Sequence, residues 1–185
     1  MGNKVEFGIS NLHIGTYSVA TDGTVTLGSA YHQPGAVSFS PEANDENNTF
    51  HADDIAYWSD YDFTKIEGGL EVAKFSDEFK TQFLNYVAKT DGGIALVKGK
   101  TKPNVYIGFE VKGDVEKRRI IMYNASLGSI KRSYNTIEEN KEVATETIAV
   151  TVAGDNATGV TKVGYRYGTT GYNTVFTNPP VPSTT

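Results

Sequence analysis

Apolar and polar residues alternate along most of this chain, a period of two that predicts strands. In "KVEFGISNLHIGTYSV" Val5, Phe7 and Ile9 fall on one face, and "TDG" at 21–23 supplies the turn into "TVTLGSAY", so a hairpin is expected there. After "QPG" comes a short apolar run, "AVSFSP", then the polar run "EANDENN" and the aromatic stretch that follows it. Composition alone reads 41–64 as a long projecting loop. "GGLEVAKF" alternates again, with Leu70 and Val72 on one face. The pattern then switches to a period near 3.6: Ser76 is placed to cap a helix over about 76–89, Asp77 and Glu78 occupy its first turn, and Phe79, Phe83 and Val87 line one side with Leu84 beside them. Gly92 and Gly93 are expected to end it.

Past the helix, "VYIGFEVKGDVEKRRIIMYNASLG" predicts two strands around a polar turn, with Ile107, Phe109 and Val111 on the first and Ile121 and Tyr123 on the second. "TETIAVTVAG" predicts another strand through Ile148, Val150 and Val152. The Tyr-rich, Pro-ended stretch 160–185 is expected to be an extended C-terminal arm. There is no internal repeat, so the expectation is one mostly β domain spanning 1–185, with a single flanking helix.

Composition narrows the chemistry. A chain of 185 residues buries roughly 70% of its extended surface on folding, enough for a sizeable core. It has no cysteine, which removes disulfides, thiolate zinc sites and thiol catalysis. The opening "MGNKVEFGISNLHIG" lacks the apolar run of a secretion signal, and no stretch has the roughly 20 apolar residues of a membrane helix, so a soluble protein is expected. Gly2 invites comparison with a myristoylation site, but Glu6 stands where the hydroxyl is wanted.

The net charge of −5 is unevenly spread. Between Pro41 and Phe63 lie Glu42, Asp45, Glu46, Asp53, Asp54, Asp60 and Asp62, with no Lys or Arg among them. Such a segment chelates a cation, repels a polyanion or meets a basic patch on another subunit. His51, Asp53 and Asp54 offer ligand-type atoms, yet on an extended segment His51 and Asp53 share a face while Asp54 points away, and no calcium-loop pattern accompanies them. No metal site and no cofactor is expected. A carboxylate pair working as acid and base needs two environments around a pocket, and adjacent strand positions diverge. Nucleophile, Walker and dinucleotide motifs are missing, so no catalytic residues are assigned. "EKRR" at 116–119 lies at a turn in an acidic chain, a poor nucleic-acid reader. Phe50, Tyr57, Trp58, Tyr61 and Phe63 divide between ordinary core and rings presented to a partner or to a carbohydrate. A monomeric carbohydrate-binding or adhesion β-sandwich is therefore an alternative, with Trp58 and the tyrosines stacking on sugars and Asp53 or Asp54 bonding hydroxyls.

The order and spacing of "NKVEFGISNLHIGTY", "PGAVSFSPEA", "TFHADDIAYW", "GGLEVAKFSDEF", "GFEVKGDVEKRRIIMYNASLG" and "KEVATETIAVTV" resemble the phage major tail protein family named after phage phi13, from siphophages of Gram-positive bacteria. The tyrosine-rich stretch beyond "VAG" lies outside the likeness. The resemblance implies a tail-tube-like β-sandwich or small β-barrel with a flanking helix, assembled as stacked hexameric rings. It implies no enzymatic chemistry. The implied partners are further copies of the chain, the tape-measure protein, tail terminator and initiator proteins, and double-stranded DNA passing non-specifically through the lumen, with no membrane. The implied location is the virion tail, after assembly in the host cytoplasm. The related secreted tubes of contractile injection systems share that architecture. On this reading Phe50, Asp53, Asp54, Tyr57, Trp58 and Tyr61 form a ring-stacking contact. Their acidic neighbours then face Lys117, Arg118 or Arg119 of another subunit, or face the lumen.

Overall fold

The computed structural model describes residues 8–52, 54–134 and 144–184. Val5 and Phe7 of the first expected strand and Asp53 of the expected contact lie outside the described residues. The elements in chain order are β1 (Gly8–Val19), β2 (Val25–Leu27), β3 (Tyr31–His32), β4 (Ala36–Ala52), β5 (Ile55–Val72), α1 (Asp77–Phe83), β6 (Tyr86–Ala88), β7 (Ile94–Leu96), β8 (Asn104–Lys112), β9 (Arg119–Arg132), β10 (Glu146–Val152), β11 (Lys162–Tyr165) and α2 (Thr170–Thr174). The architecture is mostly β: an antiparallel sheet runs β2-β1-β8-β9-β10-β5-β4, with β3 also on β1 and β11 also on β9, while β6 and β7 make a separate two-stranded sheet. β4, at one border, packs back across the core against β1, so the sheet curls into a sandwich-like form.

The alternation read from the sequence places the core. One face gathers Leu12 and Ile14 of β1, Leu70 and Val72 of β5, Ile107 of β8, Met122 of β9 and Ile148 and Val150 of β10, all essentially without solvent contact. α1 closes that face because Phe79 and Phe83, with Phe75 ahead of them, are buried in it, Phe75 stacked on Phe79 at 4.7 Å and Phe83 tilted against Phe79 at 5.2 Å between centroids. Truncating one of these rings to Ala typically costs about 3–5 kcal/mol. On the opposite face a second cluster holds Tyr17, Tyr106, Ile121, Tyr123 and Val175. β8 is consequently buried on both sides at Val105–Phe109.

Both expected hairpins on either side of the helix are present: Tyr17–Val19 pairs with Val25–Leu27, and β8 pairs with β9. Three expectations need correction. The helix ends at Phe83, not near 89, because Leu84 caps it and Asn85 adopts a left-handed backbone (φ 62°), a geometry asparagine tolerates. Tyr86–Ala88 then turns away as β6 and pairs with Ile94–Leu96, so Gly92 (φ 84°) serves a hairpin turn and not a helix stop. The polar stretch 41–64 is not a loop; it is the outer part of the β4–β5 hairpin, paired continuously from Ala36↔Val72 to Ala52↔Ile55. Cross-strand pairing held the ladder there without burial, which composition cannot show.

The C-terminal stretch is also not an extended arm. β11 pairs with the start of β9, Tyr172 and Val175 are buried, the Tyr123 hydroxyl donates to the Pro180 carbonyl at 2.8 Å, and Arg119 donates to the Tyr172 carbonyl at 2.7 Å. Tyr165 and Phe176 of this stretch pack with Val175 on the second face of the sheet, while Tyr167 stays exposed.

Candidate self-association site

The hairpin owes its reach to where its neighbours stop. β10 supports β5 only as far as Ile66, which pairs with Val152. From there to the tip, among the described residues, β4 and β5 have only each other. A two-stranded ribbon in water is marginal by itself, so its side chains matter. Two register shifts in β5, between Lys65 and Phe63 and between Trp58 and Ala56, each insert an extra residue and flip which side chains share a face.

The result is two unlike faces. One continues the core side outward through the pairs Asp45↔Phe63, Asn47↔Tyr61 and Thr49↔Ser59. It is laced by Asn47 Nδ2 donating to the Tyr61 hydroxyl at 3.3 Å and Ser59 Oγ donating to Asn47 Oδ1 at 2.9 Å. The other carries Glu46↔Asp62, Asn48↔Asp60 and Phe50↔Trp58, with Asn48 Nδ2 donating to Asp62 Oδ2 at 3.0 Å. Asp54 occupies the turn with φ 60°, and the aromatic and aliphatic side chains of Phe50, Ile55, Tyr57, Trp58, Tyr61 and Phe63 are 48–74% exposed. None of these rings is core. Contiguous exposure of this kind marks an interaction surface.

Nearer the base, the second face becomes a polar sheet surface. Glu67 stands opposite both Glu42 and Thr151, and Glu71 opposite Ser38 and Thr147. Bonding to Lys65 holds the Glu67 carboxyl below the usual range, and bonding to Thr145 and then Ser38 does the same for Glu71. Both stay ionised at neutral pH.

The expected charge partners lie elsewhere and are engaged within the chain. Arg118 bonds Glu116 at 2.8 Å and sits 3.5 Å from Asp114. Arg119 pairs with Glu110 at 3.2 Å and lies over the rings of Tyr172 and Phe176, with its guanidinium carbon 3.9 and 4.5 Å from their centroids. Lys117 stands on the turn with φ 47° and its ammonium 5.4 Å from the Tyr167 centroid. The structure therefore brings Phe50, Trp58, Asp54, Tyr57 and Tyr61 together on one ribbon, and Lys117, Arg118 and Arg119 together on a different turn.

Among the described residues, no three His, Cys, Asp or Glu side chains stand close enough to hold a metal ion, and His51 is exposed. A cleft of about 230 Å³ lies between Gln33–Pro34 and the segment 74–77 leading into α1, lined by Gln33, Lys74, Phe75 and Asp77. No described helix is long and apolar enough to cross a membrane.

Sequence reading missed Ile55 as part of the exposed set and missed the face-by-face sorting of the acids. It also missed two buried carboxylates. Glu146 accepts from the Phe75 amide at 2.7 Å and Arg132 at 3.1 Å. Asp155 accepts from the Tyr17 hydroxyl at 2.6 Å and the Thr158 amide at 2.7 Å. Burial works to raise the Asp155 pKa, but the Thr158 and Tyr17 bonds prevail and lower it. Both acids pin chain crossings.

No protein-family model and no curated protein matches this chain. Solved structures share its fold. The tube-terminating cap of the anti-feeding prophage superposes with a TM-score of 0.51 at 10% identity over 90% of this chain and 96% of that one. The sheath/tube terminator of an extracellular contractile injection system, in its extended state, superposes with a TM-score of 0.52 at 9% identity over 88% and 98%. At such identities the likeness is one of fold.

Proposed function

We propose that this chain is a structural subunit of a phage-type tail tube, a major tail protein of the phi13 type that closes into hexameric rings and stacks them through the β4–β5 hairpin. The observation that carries the reading is the free-standing ribbon with its exposed aromatic side chains, on a fold shared with tube-terminating proteins. Ring closure needs heterologous contacts, one patch against a different patch of the neighbour, and the outer border of β4, unpaired among the described residues, is suited to such a seam. The polar, ionised surface around Glu67 and Glu71 suits a conduit wall, since carboxylates repel DNA phosphates and no contact repeats from ring to ring to hold the duplex back. Its partners on this reading are further copies, a tape-measure protein, terminator and initiator proteins and passing double-stranded DNA, all within the virion tail after assembly in the host cytoplasm.

A second reading has its own support: the two superposed structures are terminators, so this chain is alternatively a ring that ends a tube and does not propagate one. Negative-stain microscopy and sedimentation of the concentrated protein separate the two. Long tubes are expected of a tube subunit and single rings of a terminator. A monodisperse monomer that binds a glycan would replace both readings with the carbohydrate-binding module. Tyr57→Ser with Trp58→Ser is expected to leave the subunit folded, with stability changed by no more than about 0.5 kcal/mol because both rings are exposed, and to abolish the assembled fraction.

A further inference from the structure

The hairpin reaches beyond the body of the subunit, and the strand directions say which end it leaves from. β5 runs from the tip toward the core. Counting antiparallel steps through β10 and β9, β8 therefore runs from Asn104, on its side away from the tip, to Lys112 at the hairpin's own end. The turn bearing Lys117–Arg119 follows Lys112 and so lies at the same end as the hairpin. Head-to-tail stacking requires an acceptor at the other end.

Leading into the start of β8, the strand end away from the tip, is the segment 94–102, "IALVKGKTK", which contains three lysines and no acid. Leu96 is 59% exposed and Val97 is exposed beside it. Lys98 and Lys100 are exposed and have no ion pair among the described residues, whereas Lys89 is taken by Asp91 at 3.0 Å and Lys102 is turned inward to the Leu127 and Gly128 carbonyls. The segment is braced by the Asn85 side chain, which donates to the Lys100 carbonyl, and by the Val97 amide bonding to the Asn85 carbonyl.

The hairpin has the complementary defect. Glu46 and Asp62 are paired directly across its two strands, and like charges so placed repel. Asp60 stands one pair nearer the tip, and Phe50 and Trp58 follow on the same face. No lysine or arginine occurs between Pro41 and Phe63 to relieve the repulsion. The turn at 113–118 lies at the hairpin's own end and sets Asp114 and Glu116 against Lys117 and Arg118, so it offers no net positive charge.

From these observations we infer that the Glu46–Asp60–Asp62 face of the hairpin docks on the Leu96–Lys100 segment of a second copy of this chain. Phe50 and Trp58 cover Leu96 and Val97, while Lys98 and Lys100 neutralise the acids. The inference rests on the tube-subunit reading and names the acceptor surface that reading leaves open.

Charge exchange tests it. Glu46→Lys, Asp60→Lys and Asp62→Lys together oppose positive to positive, and Lys98→Glu with Lys100→Glu opposes negative to negative, so each set alone is expected to lower the sedimenting fraction at least tenfold. All five changes in one chain restore opposite charges at the contact and are expected to recover most of the assembly, which a merely damaged fold would not do. Circular dichroism on each variant confirms that the subunit still folds. An assembling wild-type protein indifferent to either set, or a five-change variant that stays dispersed, overturns this contact alone. A wild-type protein that remains monomeric overturns it together with the tube reading.

Discussion

Gly68 and Gly69 are neighbours in β5 with opposite tolerance for a side chain. A Cβ at Gly68 would collide with the Ser40 carbonyl of β4, whereas at Gly69 the nearest atom is the Thr147 methyl at 3.7 Å. Gly68 faces Pro41 two residues before the ribbon leaves the support of β10, so a shift there is passed to the base of the hairpin. Gly68→Ala is expected to destabilise the subunit by about 1–3 kcal/mol, the range for forced overpacking. Gly69→Ala should lie within about 0.5 kcal/mol of wild type. Urea denaturation of the two variants measures the contrast. The same precision appears at Arg119, where one guanidinium serves Glu110, the Tyr172 carbonyl and two rings; lysine lacks the planar fork to do so.

Among the elements, the C-terminal stretch is held to the sheet by a small aromatic and cationic stack that responds to pH. His13 stacks on Phe176 at 4.3 Å and lies 4.9 Å from the His32 ring, while Arg119, paired with Glu110, also lies over Phe176 at 4.5 Å. Burial lowers the His13 pKa below 6.5; the Asn11 carbonyl, which accepts from its Nδ1, opposes that, and the nearby His32 and Arg119 charges add to it. A lowered pKa means the unfolded chain takes the proton more readily. Full stability is therefore present above 6.5 and is lost as the pH falls toward the folded value. Protection factors at the amides of α2 and of Val175–Thr177, taken relative to the intrinsic exchange rate at each pH, are expected to fall on going from about pH 7 to about pH 5. Phe176→Leu removes the stacking partner and should flatten that response.

For the whole molecule, charge along the chain divides unevenly, with seven acids and no Lys or Arg between Pro41 and Phe63 and three lysines and no acid in 94–102. Such an arrangement makes association sensitive to salt, because screening shortens to about 3 Å near 1 M. The assembled fraction is expected to fall as salt rises from about 0.1 to about 1 M, while the thermal stability of the dispersed subunit changes little. Analytical sedimentation and thermal melts on the same samples check both halves.

The strand alternation, the turns at 21–23 and 113–118, the helix start at Ser76 and the inward positions Leu70, Val72, Phe79, Phe83, Ile107, Ile148 and Val150 were all determined by the sequence itself. Each follows from a local period or a local turn chemistry that needs no distant partner. Only the tertiary structure decided that the polar run at 42–48 is strand, since its pairing with residues 60–67 is a cross-strand matter and composition reports burial, not pairing. The same holds for the helix end, where Asn85 and the β6–β7 pairing outweighed a helical spacing that still looked acceptable at Val87. It holds for the C-terminal residues too: whether Tyr172 and Val175 are buried or face solvent depends on the chain folding back over the second side of β8 and β9, beside Val25 and Leu27 of β2. The sorting of acids and rings between the two faces of the hairpin was likewise out of reach, because it turns on two bulges, and one inserted residue reverses the facing of every side chain beyond it.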